Sequence, residues 1–182
     1  METKVLIGLS EVFIGAKSVL CPLGDTPSAV YDAMLNGDSG LQQLDTPFGV
    51  DTKSHVGLIS NSLIPQEHID STRLENMFSV CYERAIRKLR FDPFQDEDGL
   101  VIICTTKGNI DKIEKEADPR LELPRLSRFM QQSFELGNEP LIVSNACISG
   151  LLGIITAARL INAGKYDHVM VLGGDIVSAF PL

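Results

Sequence analysis

The sequence predicts an α/β fold, and three stretches carry that prediction. Residues 139–175, EPLIVSNACISGLLGIITAARLINAGKYDHVMVLGGD, read as a short apolar strand (Leu141–Val143), a polar turn (Ser144–Ala146), an apolar helix from Ile148 to about Ala163, and a second strand (Val169–Leu172). Gly99–Cys104, GLVIIC, is a continuous apolar run of the kind that a strand covered on both faces requires. Between them and the N-terminus, Leu74, Met77, Phe78, Cys81, Ala85, Ile86 and Leu89 recur at helical spacing.

In chain order, residues 4–14 (KVLIGLSEVFI) read as a first strand. Cys21–Gly24 is a turn. Asp25 or Thr26 caps the next helix, with Pro27 at its first position and Asn36–Gly37 stopping it. Residues 41–70 read as irregular, apart from a short strand at Val56–Ile59, and His55 and His68 read as solvated loop residues. Ser71 or Thr72 caps the helix that runs to about Leu89, and Cys81 belongs to its core stripe. Arg84, Arg87, Lys88 and Arg90 gather at its C-terminal end, where they suit the helix dipole; a docking patch for an acidic partner is the alternative. Asp92–Asp98 is an acidic loop. After the Gly99–Cys104 strand, where Cys104 reads as packing, comes a turn, Thr105–Asn109, and then a helix Ile110–Glu116. Lys107 and Gly108 lack the Gly-Lys-Ser/Thr order of a phosphate loop, so no nucleotide site is expected. Asp118–Pro119 breaks the chain, Arg120–Pro124 is a loop, and Leu126–Leu136 is an amphipathic helix.

Composition narrows the function. The 182 residues suffice for one domain with a core, and 44% hydrophobic with 22% charged residues fits a globular chain. A net charge of −8 argues against a general nucleic-acid surface. No apolar segment reaches membrane-spanning length and no signal-peptide pattern is present, so the expected setting is the reducing cytoplasm. The four cysteines lie far apart and the three histidines complete no ligand set. Neither a metal nor an organic cofactor is expected.

Cys147 is the residue with chemical promise. It sits where a strand turns into a helix, next to backbone N–H groups that have no partner inside the helix and that carry the positive end of its dipole. A thiolate is favoured at such a place. The helix that follows is apolar nearly all round, so it is expected to be buried, and Gly150 and Gly153 are expected to admit a close neighbour. A buried structural thiol is the alternative for Cys147.

Asn-Ala-Cys-Ile-Ser-Gly, the helix after it and Val-Met-Val-Leu-Gly-Gly-Asp resemble the nucleophile segment of the β-ketoacyl-acyl-carrier-protein synthases, within the thiolase-like condensing enzymes. Cys-Pro-Leu-Gly at 21–24 and Gly-Asp-Ser-Gly at 37–40 resemble the opening turn and helix stop of the same family, with Cys21 in place of a serine. The chain departs from the pattern at Glu139, where a glycine is usual, and between Lys115 and Gly137, which is short.

The resemblance implies a thiolase-like half: a layered, mixed, mostly parallel sheet with helices on its faces and a buried nucleophile helix, with residues 1–182 forming the N-terminal half of the domain. It implies Cys147 as nucleophile and as donor of one oxyanion-hole backbone N–H. An acyl carrier protein delivering acyl and malonyl thioesters is the implied partner. The family's two histidines, its lysine and its second oxyanion N–H belong to the second half, which these residues do not contain, and His168 is no substitute. The expectations are a truncated chain, no condensation by these residues alone, and self-association or a partner half-domain to cover exposed apolar surface. A non-catalytic partner of a condensing enzyme and a cysteine acyltransferase of the same fold remain alternatives. The pathway, fatty acid or polyketide, is left open.

Overall fold

The computed structural model describes residues 11–51, 53–64, 71–113 and 118–179. Helix α1 (Pro27–Leu35) starts as its capping signals require, with the Thr26 hydroxyl accepting from the Ala29 N–H and Pro27 in the first turn. Strands β1 (Leu41–Leu44) and β2 (Ser54–Gly57) pair antiparallel, Leu41 opposite Gly57 and Leu44 opposite Ser54. Helix α2 (Arg73–Ile86), strand β3 (Gly99–Cys104), helix α3 (Leu123–Ser133), strand β4 (Leu141–Val143), helix α4 (Ser149–Asn162) and strand β5 (His168–Gly173) complete the described elements.

Three of these strands form a parallel sheet in the order β4-β3-β5. The period-two alternation of β3 divides its side chains between two cores. Val101 and Ile103 face Leu74, Phe78, Leu126 and Met130 of α2 and α3. Leu100, Ile102 and Cys104 face Ala157 and Leu160 of α4. All six β3 residues are buried, as a central strand covered on both faces must be.

The start of α2 is tied to the loop beyond β3. The Thr72 hydroxyl accepts from the Glu75 N–H, and the Glu75 carboxylate accepts from the Thr72 N–H. Thr72 Oγ1 also donates to Asn109 Oδ1 at 2.7 Å, and Asn109 Nδ2 donates to Glu75 Oε1 at 3.0 Å and to the Arg120 carbonyl at 2.9 Å. A buried carboxylate is tolerable here because its oxygens are taken up by these donors.

Several expectations shift. Of the strand expected at 4–14, residues 4–10 lie outside the described residues and 11–14 carry no strand. The stretch 41–57 is a hairpin rather than irregular chain; LQQL hides its strand because its side chains are mostly exposed and backbone pairing alone defines it. Ile110–Lys112 is a single 3₁₀ turn, and the rest of the helix expected there reaches residues outside the description. Helix α3 begins at Leu123, three residues before the expected start, because Pro124 is compatible with a first helical turn. Among the described strands β4 lies at an edge, with Leu141 exposed, where a buried strand was expected. The helix expected to be wholly buried, α4, is buried only toward the sheet, through Ser149, Gly153 and Ala157. Its other side leaves Ile148, Leu151, Ile154 and Ile155 exposed.

Candidate active site

The polypeptide leaves β4 at Val143 and turns through Ser144, Asn145 and Ala146 into a 3₁₀ turn, Ala146–Ile148, that runs on into α4. Cys147 lies in that turn, at the helix entrance, and is exposed with its thiol free. Ala146 has φ +43°, a left-handed conformation that a residue with a Cβ adopts at a cost. Ser149 holds this turn. Its hydroxyl, on a residue only 4% exposed, accepts from the Asn145 N–H at 2.8 Å and donates to the Ala146 carbonyl at 2.8 Å. The Ile148 N–H donates to the Asn145 carbonyl at 3.2 Å. Among the described residues nothing accepts a hydrogen bond from the Cys147 N–H.

Beside this turn lies the one that follows β3. The Thr105 N–H donates to the Val143 carbonyl at 3.3 Å, and the Ser144 hydroxyl donates to the Thr106 carbonyl at 3.5 Å. On its far side the Asp175 carboxylate accepts from the Thr105 hydroxyl, the Thr106 hydroxyl and N–H, and the Lys107 N–H. Parallel pairing brings the ends of all three strands to one edge of the sheet, which is how residues 105–107, 144–147 and 175 become neighbours.

The other candidates fall elsewhere. His168 opens β5, at the opposite end of a six-residue strand that spans roughly 17 Å, and its ring meets Phe91 edge-on. His55 is exposed on β2, and His68 lies outside the described residues. Cys104 is buried against Gly153, and burial pushes its thiol's pKa up; burial does the same to Cys81, which packs beside the α2–α3 core. Cys21 is half-buried in its turn. At the end of α2 and just past it, Arg84 pairs with Asp25, Arg87 with Glu83, and Lys88 donates to the Lys17 carbonyl. No group of side chains suited to a metal ion occurs among the described residues. No helix among them is long and apolar enough to cross a membrane.

One cavity of about 480 Å³ opens near Asn138, Lys165 and Tyr166, and another of about 410 Å³ lies between Phe48, Met77, Asp175 and Ile176. Cys147 lines neither. The sequence placed Cys147 at a strand-to-helix turn, where the structure has it, but gave no sign of the hydrogen bonds that Ser149 and Asp175 make around it. Ser149 stood inside the quoted motif and Asp175 directly behind the Gly-Gly pair, yet hydrogen-bond partners are not written in a linear pattern.

The fold that holds this turn is α/β and thiolase-like, a mostly parallel sheet with helices packed on it. The fold matches the ishigamide ketosynthase/chain length factor with a TM-score of 0.70 at 19% identity, over 91% of this chain and 53% of that one. It matches a beta-ketoacyl synthase from Burkholderia phymatum with a TM-score of 0.68 at 13% identity, over 84% of this chain and 44% of that one. In sequence the chain is distantly similar to β-ketoacyl-acyl-carrier-protein synthases and ketosynthases over roughly half of their length. It is 28% identical over 142 residues to beta-ketoacyl-[acyl-carrier-protein] synthase III from two strains of Desulfitobacterium hafniense, covering 78% of this chain and 39% of those relatives. The chain thus spans less than half the length of the curated relatives it matches. No family model matches it.

Proposed function

We propose that residues 1–182 are the nucleophile-bearing half of a condensing enzyme of the 3-oxoacyl-acyl-carrier-protein synthase type, and that Cys147 accepts an acyl group from a carrier-protein thioester. The observation that carries this reading is the exposed thiol of Cys147 at the mouth of α4, on a turn whose N–H is left unbonded. The thiol proton passes to solvent base and the sulfur attacks the thioester carbonyl. A carbon–sulfur bond forms while the carbonyl π pair moves onto oxygen. Collapse of that oxyanion expels the carrier's thiolate, which takes up a proton. The exchange is redox-neutral, and the Cys147 N–H is placed to donate to the oxyanion.

Condensation with a malonyl carrier requires stabilisation of an enolate, and His168 lies at the far end of β5 from the turn of Cys147. That step is assigned to a second half-domain, for which the exposed Ile148, Leu151, Ile154 and Ile155 face of α4 is the docking side. These residues alone are proposed to become acylated at Cys147 and not to condense. A cysteine acyltransferase fits the same geometry; a non-catalytic partner subunit is disfavoured by the accessible thiol.

The test is to incubate the chain with an acyl-N-acetylcysteamine thioester and weigh the protein. The wild type is expected to gain one acyl group on the Cys147 peptide and Cys147→Ser none. An unmodified wild type, or an adduct that persists in Cys147→Ser, overturns the reading.

A further inference from the structure

We infer that Ser149 is a positioning residue that aims the Cys147 N–H at the oxyanion; the inference rests on the acyl-transfer reading above. The peptide joining Ala146 to Cys147 is one rigid plane, and in a trans peptide its carbonyl and its N–H point in opposite directions. That carbonyl accepts from the Ser149 hydroxyl at 2.8 Å as well as from the Ser149 backbone N–H, so the hydroxyl adds a second hold on the plane and on the direction of the N–H at its other side. The hydroxyl oxygen itself accepts from the Asn145 N–H at 2.8 Å, which anchors the hydroxyl and sets which way its proton points. The hydroxyl's two bonds straddle Ala146, whose φ of +43° is a left-handed conformation that costs a residue with a Cβ and that they help to hold. Ser149 is buried and begins α4, so its hydroxyl is held by the helix while the Cys147 thiol stays exposed. An oxyanion donor is effective only if its direction is set before the charge develops, and this hydroxyl supplies that setting without touching the substrate.

Two reactions of the same thiol separate this role from mere support of the turn. Acylation by a thioester passes through an oxyanion; alkylation by iodoacetamide displaces iodide at carbon and does not. Both rates at Cys147 are measured by peptide mass spectrometry in the wild type, Ser149→Ala and Ser149→Thr, with Cys147→Ser as the blank and circular dichroism as the check on folding. Ser149→Ala is expected to slow acylation roughly 10- to 100-fold, below the 10²–10³ lost when a donor is removed outright. Alkylation is expected to stay within about threefold, and Ser149→Thr, which keeps the hydroxyl, to acylate at near the wild-type rate. Equal loss in both reactions, or loss in neither, overturns the inference while leaving acyl transfer by Cys147 intact. A wild type that alkylates but never acylates overturns the acyl-transfer reading and this inference with it. Hydrogen exchange gives a second measurement that needs no variant: rapid exchange of the wild-type Asn145 amide would show that the hydroxyl does not hold the turn, and would overturn the inference.

Discussion

Thr106 meets Asp175 twice: its N–H donates to Oδ1 at 2.9 Å and its hydroxyl donates to Oδ2 at 2.8 Å. Thr105 and Lys107 add further bonds to Oδ1, so one carboxylate gathers the whole turn after β3. This turn borders the one that carries Cys147. Asp175→Ala is expected to loosen it, raising amide exchange at Thr106 and Lys107 about five- to tenfold, as the loss of roughly 1 kcal/mol of hydrogen bonding allows at an exposed site. Asp175→Asn keeps an acceptor at Oδ1 and is expected to retain most of the protection. Unchanged exchange in Asp175→Ala would show that the carboxylate holds nothing.

Gly153 and Gly150 are expected to respond in opposite directions to the same substitution. A Cβ built on Gly153 would drive into Cys104 Sγ and stand 2.9 Å from Val171 Cγ1, both on the sheet beneath. Around Gly150 there is open space. Gly→Ala in a helix is worth about 1 kcal/mol in propensity, which Gly150→Ala should gain. Gly153→Ala should instead lose about 1–3 kcal/mol to overpacking. Cys104→Ala, added to Gly153→Ala, should recover part of that loss. Urea midpoints of the wild type and these three variants check it; a stabilising Gly153→Ala would mean that α4 does not lie this close to β3 and β5.

Much of this was legible in the sequence because it rests on local chemistry. Asp25 or Thr26, with Pro27 and Asn36–Gly37, announced α1; Ser71 or Thr72 and the apolar stripe after them announced α2; GLVIIC announced the central strand; Gly164 closed α4 at φ +63°. Cys147 was legible for the same reason, since strand, turn and helix are read from neighbours in the chain. What stayed hidden depends on partners far away in sequence. The pairing of β1 with β2 is written in backbone bonds rather than in LQQL. The exposure of Leu141 follows from strand order, which places β4 at an edge. The composition of α4 does not tell which apolar face meets the sheet and which stays exposed among the described residues. Asp175 is 69 residues from Thr106, and no pattern at that distance marks a carboxylate as the anchor of a turn.

Tyr82 is 2% exposed, packs against Phe94 and Phe134, and donates to Asp92 Oδ2 at 2.7 Å. Burial, with the neighbouring Asp92 carboxylate, holds its phenol well above the usual tyrosine range. The folded state therefore keeps this proton where the unfolded chain, with a pKa of about 10, releases it. The stabilisation is complete below about pH 10 and is lost as pH rises beyond it. Burial raises Cys81 and Cys104 too, and their loss has the same sign from about pH 8.5. Urea midpoints should thus begin to fall near pH 8.5 and steepen past pH 10. Tyr82→Phe should remove the second slope and leave the first. It should also cost about 1 kcal/mol at pH 7 through the lost bond to Asp92. A Tyr82→Phe curve parallel to that of the wild type above pH 10 would refute this.

The outer face of α4 sets the association behaviour of the chain. Ile148, Leu151, Ile154 and Ile155 are 50%, 59%, 59% and 39% exposed, and their spacing places them along one side of the helix entrance and body. On the inner side Gly153 and Ala157 are buried against the sheet, so the helix cannot turn its apolar stripe inward without lifting from β3 and β5. An apolar stripe beside an exposed thiol is a surface that water disfavours and that invites association. The 182-residue chain is therefore expected to self-associate as its concentration rises. The double substitution Leu151→Glu and Ile154→Glu should shift it toward monomer in sedimentation velocity with little change in circular dichroism, because neither side chain is buried in the present fold. A wild type that stays monomeric at high concentration would show that this face needs no cover. A double variant that unfolds would show that the stripe is packed within the chain itself, and the docking side assigned to α4 would have to be abandoned.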